Sequence, residues 1–476
     1  PEMLPAALLG AMRVLTDPAE TGAVCVALPQ DVQAQAWDWP VSLFAERVWY
    51  VPRPVPDPLS VSRAAELIRT ASRPLIVAGG GVLYSSACPA LASFAGSLGI
   101  PVAQTQAGKS TMRWDDPLCV GAIGATGTAA ANELARAADV VIGIGTRWTD
   151  FTTASRSVFA APDARFVSVN IAAADASRLP GVAVVGDARA ALEELSAALS
   201  GWSAPSGYAA QAASLRAAWQ DSVTAAYSPA SGQAPLRRQD LLRGQDPLPG
   251  QAEVIGAVNE AAGDSGIVLA AAGSMPGDLH RLWRTGDPGT YHVEYGYSCM
   301  GYEIAGGLGA RMAAPDRDVF VLVGDGSYLM MSSELVTAVQ EDVKLIVVCV
   351  DNHGFASIGN LSESVGAQRF GTSYRARSAS GRLDGGVLPI DLAANAASLG
   401  VSSVRVRSIA ELREALAAAK ASAHSTVVVI ETDPSVPVPS SEAWWDVPVA
   451  EVSTLESTRA ARVVYEREKQ NQRPLL

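Results

Sequence analysis

The chain has 476 residues, of which 49% are hydrophobic, and this is enough material for two or three domains with buried cores. A formal net charge of −12 disfavours nucleic acid as a partner, because its phosphates would be repelled. The absence of a signal peptide and of a run of about 18 apolar residues predicts a cytoplasmic protein with no membrane partner. The five cysteines are scattered and odd in number, which favours reduced thiols over disulfides or a zinc site.

Within residues 1–50, the hydrophobic pattern predicts a helix over residues 4–16 and a strand over residues 23–28. The segment begins abruptly at Pro1, and its length is too small for a domain of its own. We interpret it as the remnant of an N-terminal domain.

The rest of the chain divides into four segments. Residues 51–200 alternate predicted strands and helices, which is typical of a doubly wound α/β domain with a parallel sheet, here a central Rossmann-like domain. Residues 201–250 predict one helix over residues 208–225 and then a linker. Residues 251–435 repeat the α/β alternation, and residues 436–476 are predicted to form a C-terminal tail.

Two glycine-containing motifs in the central domain raise the question of nucleotide binding. The triple glycine that begins at Gly79 follows a strand, but it does not continue as Gly-x-Gly-x-x-Gly, and the next strand lacks the acidic residue that binds a ribose hydroxyl. Gly108-Lys109-Ser110 ends like a phosphate loop, yet Ala103 stands where that loop needs a glycine. We therefore interpret this domain as structural.

The most informative feature is a pair of polar residues that follow two consecutive apolar runs. Asp325 lies in a Gly-Asp-Gly turn, and Asn352 follows 27 residues later. This spacer accommodates a helix, predicted over residues 329–340, and a return to an adjacent parallel strand. The two side chains are therefore expected to meet at the carboxyl edge of one sheet.

Such a pair predicts a metal–diphosphate site. The Asp325 carboxylate, the Asn352 amide oxygen and the Gly354 carbonyl are hard oxygen ligands that suit an octahedral Mg²⁺ and leave room for diphosphate oxygens. The glycines beside Asp325 let the backbone approach an anion, and the helix that follows adds N–H donors. A Gly-Asp-Gly after a strand is also compatible with an ordinary turn, and the paired asparagine favours the metal site.

These residues resemble a known family. The run Gly324-Asp325-Gly326-Ser327, its spacer and Asn352 are similar to the cofactor signature of thiamine-diphosphate enzymes. Within that family, longer segments resemble the trihydroxycyclohexanedione hydrolases of myo-inositol catabolism, namely residues 12–22, 27–33, 327–331, 351–355 and 442–453. The resemblance covers essentially the whole chain.

The resemblance implies a thiamine-diphosphate-binding fold with a defined set of cofactor contacts. Gly273 and Ser274 would touch phosphate oxygens, the Ser298 carbonyl would accept from the aminopyrimidine, and Met300 would hold the two rings in a V shape. The implied cofactor-binding residues are Gly273, Ser274, Ser298, Met300, Gly324, Asp325, Gly326, Ser327 and Asn352, with Asp325, Asn352 and Gly354 on the metal. From the residues alone, Gly273 and Ser274 equally fit an ordinary loop, and Met300 fits core packing.

The implied reaction is the hydrolytic ring opening of 3D-(3,5/4)-trihydroxycyclohexane-1,2-dione to 5-deoxyglucuronate. His353 lies between two implied metal ligands, and it is our candidate for a catalytic or substrate-polarising group. Glu294 and Glu303 flank Met300, and each fits either acid–base chemistry or an ion-paired carboxylate.

In this family the carboxylate that activates the aminopyrimidine lies in an N-terminal domain. Since we assign only the last part of that domain to residues 1–50, we expect the chain by itself to bind the cofactor poorly and not to turn over. The resemblance further implies an active site between subunits of a homodimer or homotetramer. A tail helix predicted over residues 455–469 is expected to clasp a neighbouring domain or subunit.

Two alternatives stay open. A carboligase of the acetolactate-synthase type would share the metal site and Met300, but it would accept pyruvate, and the central domain shows no recognisable FAD contacts. A non-catalytic scaffold would keep the fold and show no Mg²⁺-dependent binding of thiamine diphosphate.

Overall fold

The computed structural model describes residues 1–228, 247–294 and 296–474, so residues 229–246 of the predicted linker over 201–250 lie outside the described residues. The strands form two sheets, each with six parallel strands. They are β1 (Pro74–Ala78), β2 (Val102–Gln104), β3 (Cys119–Ala122), β4 (Val140–Ile144), β5 (Arg165–Asn170), β6 (Gly181–Val185), β7 (Ile267–Ala270), β8 (Tyr291–Val293), β9 (Val319–Gly324), β10 (Ile346–Asp351), β11 (Ser402–Val406) and β12 (Thr426–Glu431).

Helices lie between the strands and at both ends of the chain. They are α1 (Leu4–Leu15), α2 (Gln30–Gln33), α3 (Pro58–Arg69), α4 (Gly80–Tyr84), α5 (Cys88–Leu98), α6 (Ala129–Ala137), α7 (Asp150–Thr153), α8 (Ala173–Ala176), α9 (Ala188–Ala198), α10 (Tyr208–Tyr227), α11 (Gln251–Ala262), α12 (Met275–Leu282), α13 (Tyr302–Ala313), α14 (Asp325–Met331), α15 (Glu334–Gln340), α16 (Ala356–Ser364), α17 (Leu392–Ser398), α18 (Ile409–Ala421) and α19 (Glu456–Lys469), with a 3-10 helix over Val41–Phe44.

The first sheet has the strand order β3-β2-β1-β4-β5-β6, and the second has β11-β12-β10-β9-β7-β8. Both are covered on two faces, and the central strands are therefore continuous apolar runs. In β1, Ile76 and Ala78 pack into the core on one face, while Leu75 and Val77 pack into the core on the other. This architecture confirms the predicted α/β class with doubly wound parallel sheets.

The predicted strand over residues 23–28 is wrong. These residues are exposed, and they pair with no strand among the described residues. An apolar run forms a strand only where another strand offers hydrogen-bond partners, and the sequence cannot show this. The helix predicted over residues 329–340 is instead two helices, α14 and α15, separated at Ser332 and Ser333, whose side chains favour helix ends over helix interiors.

The glycine motifs of the first sheet allow close approach of backbone segments. A Cβ on Gly79 would lie 2.3 Å from the Gly145 carbonyl oxygen, and a Cβ on Gly108 would lie 2.0 Å from that of Ala78. Only glycine fits either position without moving backbone atoms. The structural interpretation of both motifs therefore has a steric basis.

The two sheets contact each other through a buried polar cluster around His280 in α12. Its Nε2 donates to the Gln104 carbonyl at 3.1 Å and its Nδ1 accepts from the Thr126 hydroxyl at 2.9 Å, so a neutral imidazole satisfies both nitrogens. The His280 carbonyl accepts from the Lys109 ammonium at 2.6 Å. Burial lowers the pKa of Lys109 to about 8, and burial together with the Lys109 charge lowers the pKa of His280 to about 3.

His280 is expected to make the protein less stable as the pH falls. The folded state keeps the imidazole neutral down to a pKa of about 3, whereas the unfolded chain takes up the proton below about 6.5. Between pH 6.5 and about pH 3 the unfolded state therefore binds one proton more than the folded state. In this range His280 lowers the free energy of unfolding by about 1.4 kcal/mol for each unit by which the pH falls. Urea unfolding of the wild type and of His280→Gln between about pH 6 and pH 4.5 measures this slope.

The matched control is His424→Gln, because the side chain of His424 is 78% exposed. This variant should keep the wild-type slope, and His280→Gln should have a shallower one. Equal slopes in the wild type and His280→Gln would contradict the assignment of a neutral buried imidazole.

The C-terminal tail contacts both sheets' domains. The Thr458 hydroxyl in α19 donates to the Gly366 carbonyl at 2.9 Å, and the Arg473 guanidinium donates to three carbonyls before β5, including that of Ala164 at 2.7 Å. Every helix in the described part of the chain is too short or too polar to span a bilayer.

Candidate active site

The ends of β9 and β10 bring Asp325 and Asn352 together. Gly324 is level with Val350 in the neighbouring strand, so the residues that follow project beyond the same edge of the sheet. Oδ2 of Asp325 accepts from the backbone N–H of Asn352 at 3.1 Å and from that of Gly354 at 2.9 Å. Asp325 is 1% exposed, and burial raises its pKa to about 7, so a cation beside it would favour the ionised form.

The side-chain oxygen Oδ1 of Asn352 is buried and has no hydrogen-bond partner among the described residues. Leaving a buried acceptor unsatisfied costs about 1–3 kcal/mol, so a ligand that binds this oxygen would stabilise the protein. A hard divalent cation takes both an amide oxygen and the adjacent Asp325 carboxylate. The residues present therefore fit a Mg²⁺ ion.

The glycines near this edge differ in what surrounds them. A Cβ on Gly273 or Gly324 would meet no atom within 4 Å, so the backbone at both positions faces open space that a cofactor can fill. A Cβ on Gly326 would instead lie 2.8 Å from the ring of Phe355, so this glycine allows the ring to pack against the turn. Gly273 has a φ of +82°, which favours glycine at this position.

His353 lies beside the predicted metal ligands, and two carboxylates hold its imidazole. Nε2 is 2.8 Å from Oε1 of Glu431 at the end of β12, and Nδ1 is 3.3 Å from Oδ1 of Asp351. The hydrogen bond that His353 donates to the Glu431 carboxylate and the charge of Asp351 raise the pKa of His353 against the opposing effect of burial. Arg405 balances this acidic group at 3.4 Å from Asp351.

Ser327 connects another predicted loop to this site. Its hydroxyl accepts from the Gly301 N–H at 2.7 Å and donates to the Glu303 carboxylate at 2.7 Å. The loop that carries Ser298 and Met300 is thereby fixed to the turn at Asp325. Since this hydroxyl is already engaged, only the Ser327 backbone is left to contact a phosphate.

The hydroxyls of Ser274 and Ser298, two further predicted residues, make other hydrogen bonds. The Ser274 hydroxyl donates to Oε1 of Gln251 at 3.1 Å, and the Ser298 hydroxyl donates to the Ala271 carbonyl at 3.2 Å. Ser298 is exposed with a φ of +53°, and Met300 is half-buried. The Ser274 and Ser298 hydroxyls thus fix loop conformations and leave backbone groups for a ligand.

Comparison with known proteins agrees with this geometry. Residues 61–195 match the model for the thiamine pyrophosphate enzyme central domain, and residues 271–432 match the model for the C-terminal TPP binding domain. A 3D-(3,5/4)-trihydroxycyclohexane-1,2-dione hydrolase of Geobacillus thermodenitrificans is 45% identical over 97% of this chain and 73% of its own length. The chain belongs to the thiamine pyrophosphate enzyme family.

Other trihydroxycyclohexane-1,2-dione hydrolases are nearly as similar. The relative of Clostridium perfringens is 42% identical over 97% of this chain and 74% of its own length, and that of Bacillus cereus is 43% identical over 97% and 73%. The family resemblance inferred from the motifs is thus confirmed, as is the prediction of an enzyme.

Sequence reasoning missed three of the side chains that surround the predicted site of this thiamine pyrophosphate enzyme. Asp351 and Glu431 each end an apolar strand with a carboxylate, and this signal was present in the sequence. Gln251, which binds Ser274, begins a helix and carries no comparable signal. Glu303 was noted only as a candidate acid or ion-paired group, although the structure gives it neutral donors.

Proposed function

We propose that this protein catalyses the thiamine-diphosphate- and Mg²⁺-dependent hydrolytic ring opening of 3D-(3,5/4)-trihydroxycyclohexane-1,2-dione to 5-deoxyglucuronate in myo-inositol catabolism. The observation that carries the proposal is the buried, unpartnered amide oxygen of Asn352 beside the Asp325 carboxylate. The substrate named for relatives that are 42–45% identical supplies the substrate class.

Bound thiamine diphosphate supplies a nucleophilic carbon and an electron sink for cleavage of the bond next to a carbonyl. Asp325, Asn352 and the Gly354 carbonyl would hold Mg²⁺ beside the diphosphate. Backbone groups at Gly273, Ser274, Gly324, Gly326 and Ser327 would bind the phosphates, Met300 would support the rings, and the Ser298 carbonyl would accept from the aminopyrimidine.

His353 is proposed to hold a proton for the substrate. Glu431 raises the pKa of its imidazole, so the protonated form persists to a higher pH than in a free histidine. The side chain is 43% exposed, which leaves part of its surface available to a ligand in the crevice. A protonated imidazole there would polarise a carbonyl of the dione by donating a hydrogen bond.

The proposal also covers the location, the oligomeric state and the domain organisation of the enzyme. We place it in the cytoplasm as a homodimer or homotetramer that acts on a small cyclic polyol dione. We assign residues 1–50 to the remnant of an N-terminal pyrimidine-binding domain, 51–200 to a central Rossmann-like domain, 201–250 to a linker, 251–435 to a diphosphate- and Mg²⁺-binding domain, and 436–476 to a C-terminal tail.

Substrate assays separate this function from its alternatives. An enzyme with a complete N-terminal pyrimidine-binding domain should consume the dione only when both thiamine diphosphate and Mg²⁺ are present, and it should leave pyruvate unchanged. Formation of acetolactate from pyruvate would favour a carboligase. Absence of any turnover together with absence of cofactor binding would favour a non-catalytic scaffold.

A further inference from the structure

Glu303, the second residue of α13, carries a buried carboxylate that the proposed chemistry does not use. Its side chain is 1% exposed. Oε1 accepts from the Ala272 N–H at 3.3 Å and Oε2 accepts from the Gly301 N–H at 3.1 Å. The Ser327 hydroxyl lies 2.8 Å from Oε1 and 2.7 Å from Oε2. One carboxylate therefore has three neutral donors.

The three donors come from three separate segments of the chain. Ala272 lies between β7 and Gly273, Gly301 follows the loop of Ser298 and Met300, and Ser327 is the third residue of α14, two residues after Asp325. Each segment contains residues assigned to the cofactor under the proposed function. The Ser298 hydroxyl, which donates to the Ala271 carbonyl, also joins the first two segments, whereas Ser327 and Glu303 connect α14 to both of them.

A carboxylate is the only side chain of this shape that can accept at both ends. A glutamine would present an NH₂ group either to the Ala272 N–H or to the Gly301 N–H, and two donors would then face each other. Burial also raises the pKa of Glu303, so keeping an acid at this position costs stability. Packing alone would be better served by a neutral residue.

We propose that Glu303 is a positioning residue, which holds the two loops and the start of α14 at the spacing that thiamine diphosphate requires. Ser327 then serves the cofactor through its bond to Glu303, and its hydroxyl does not contact the diphosphate. This inference rests on the proposed function, and it adds to that function a residue that touches neither cofactor nor substrate.

Calorimetric titration with thiamine diphosphate at saturating Mg²⁺ tests the proposal. The Kd should rise at least about tenfold in Glu303→Gln and in Ser327→Ala, because each change breaks a bond to a charged group. Glu303→Asp keeps two acceptors on a shorter stem, and its Kd should lie between those of the wild type and Glu303→Gln. The exposed Glu133 gives the matched control, and Glu133→Gln should bind like the wild type.

Two further readouts separate positioning from general stability. The double variant should bind within about threefold of the weaker single variant, because both changes disrupt one network. At saturating cofactor the kcat of Glu303→Gln should return to within about threefold of the wild type, since the residue makes no contact with the reacting atoms. If Glu303→Gln does not fold, Ser327→Ala and Glu303→Asp carry the same test.

The results that would overturn the inference are specific. Wild-type affinity in Glu303→Gln or Ser327→Ala would overturn it. A lowered melting temperature with an unchanged Kd would also overturn it. So would a double variant in which the two single effects on Kd multiply. Failure of a wild type with a complete N-terminal domain to bind thiamine diphosphate would instead overturn the proposed function. A wild type that binds and turns over, with variants that bind equally well, would overturn the inference alone.

Discussion

Replacing Asp325 with alanine is expected to abolish Mg²⁺-dependent binding of thiamine diphosphate and, with it, dione hydrolysis. The change removes a proposed metal ligand, and it also removes the acceptor for the N–H groups of Asn352 and Gly354. Loss of outer-shell partners alone weakens metal affinity roughly 10–100-fold, so loss of a direct ligand should weaken it by more than about 100-fold. Calorimetry with cofactor and metal measures the effect.

Two variants separate the charge of Asp325 from its shape. Asp325→Asn keeps the side-chain volume but places an NH₂ group in the metal site, and it should bind as poorly as the alanine variant. Asp316→Ala removes an exposed aspartate of the same domain, and its affinity should stay at the wild-type value. Retention of metal-dependent binding by Asp325→Ala would refute the assignment of this ligand.

Replacing Gly108 with alanine is expected to destabilise the first sheet strongly. The new Cβ would lie 2.0 Å from the Ala78 carbonyl oxygen and 2.9 Å from the Cα of Gly79, so backbone atoms would have to move. Overpacking of this kind costs typically 1–3 kcal/mol, and a clash with the backbone should reach about 3 kcal/mol. Urea unfolding of the purified protein measures the loss.

A second glycine provides the control for this steric effect. Gly96 lies in α5 with no atom within 4 Å of an added Cβ, so Gly96→Ala should raise the free energy of unfolding by about 0.5–1 kcal/mol through helix propensity. Equal effects of the two substitutions would show that Gly108 is not restricted by its contact with β1.

Much of the second sheet and its polar edge can be predicted from sequence. The run that becomes β10 is apolar at every position up to Asp351, because residues on both of its faces are buried, and such a run is readable without a structure. Asp325 and Asn352 meet because parallel strands place their carboxyl ends at one edge, which is a general property of the architecture. The spacing between Asp325 and Asn352 was therefore sufficient to predict that the two residues meet.

The partners of those residues could not be predicted in the same way. Glu431 reaches His353 from β12, which is 78 residues away in the sequence, and only the strand order brings the two together. Glu303 accepts from the neighbouring Gly301, but its other two donors, Ala272 and Ser327, are 31 and 24 residues away in the sequence. Residues 23–28 have the composition of a strand, but composition does not supply the neighbouring strand that a ladder requires.

The metal dependence of thiamine diphosphate binding by the wild-type protein tests the central claim most directly. Titrations with Mg²⁺ and with a chelator should differ at least about 100-fold in Kd, because Asp325 and Asn352 bind the diphosphate only through the cation. Equal affinity with and without the metal would contradict the assignment of Asp325, Asn352 and Gly354 as a metal site that anchors the diphosphate.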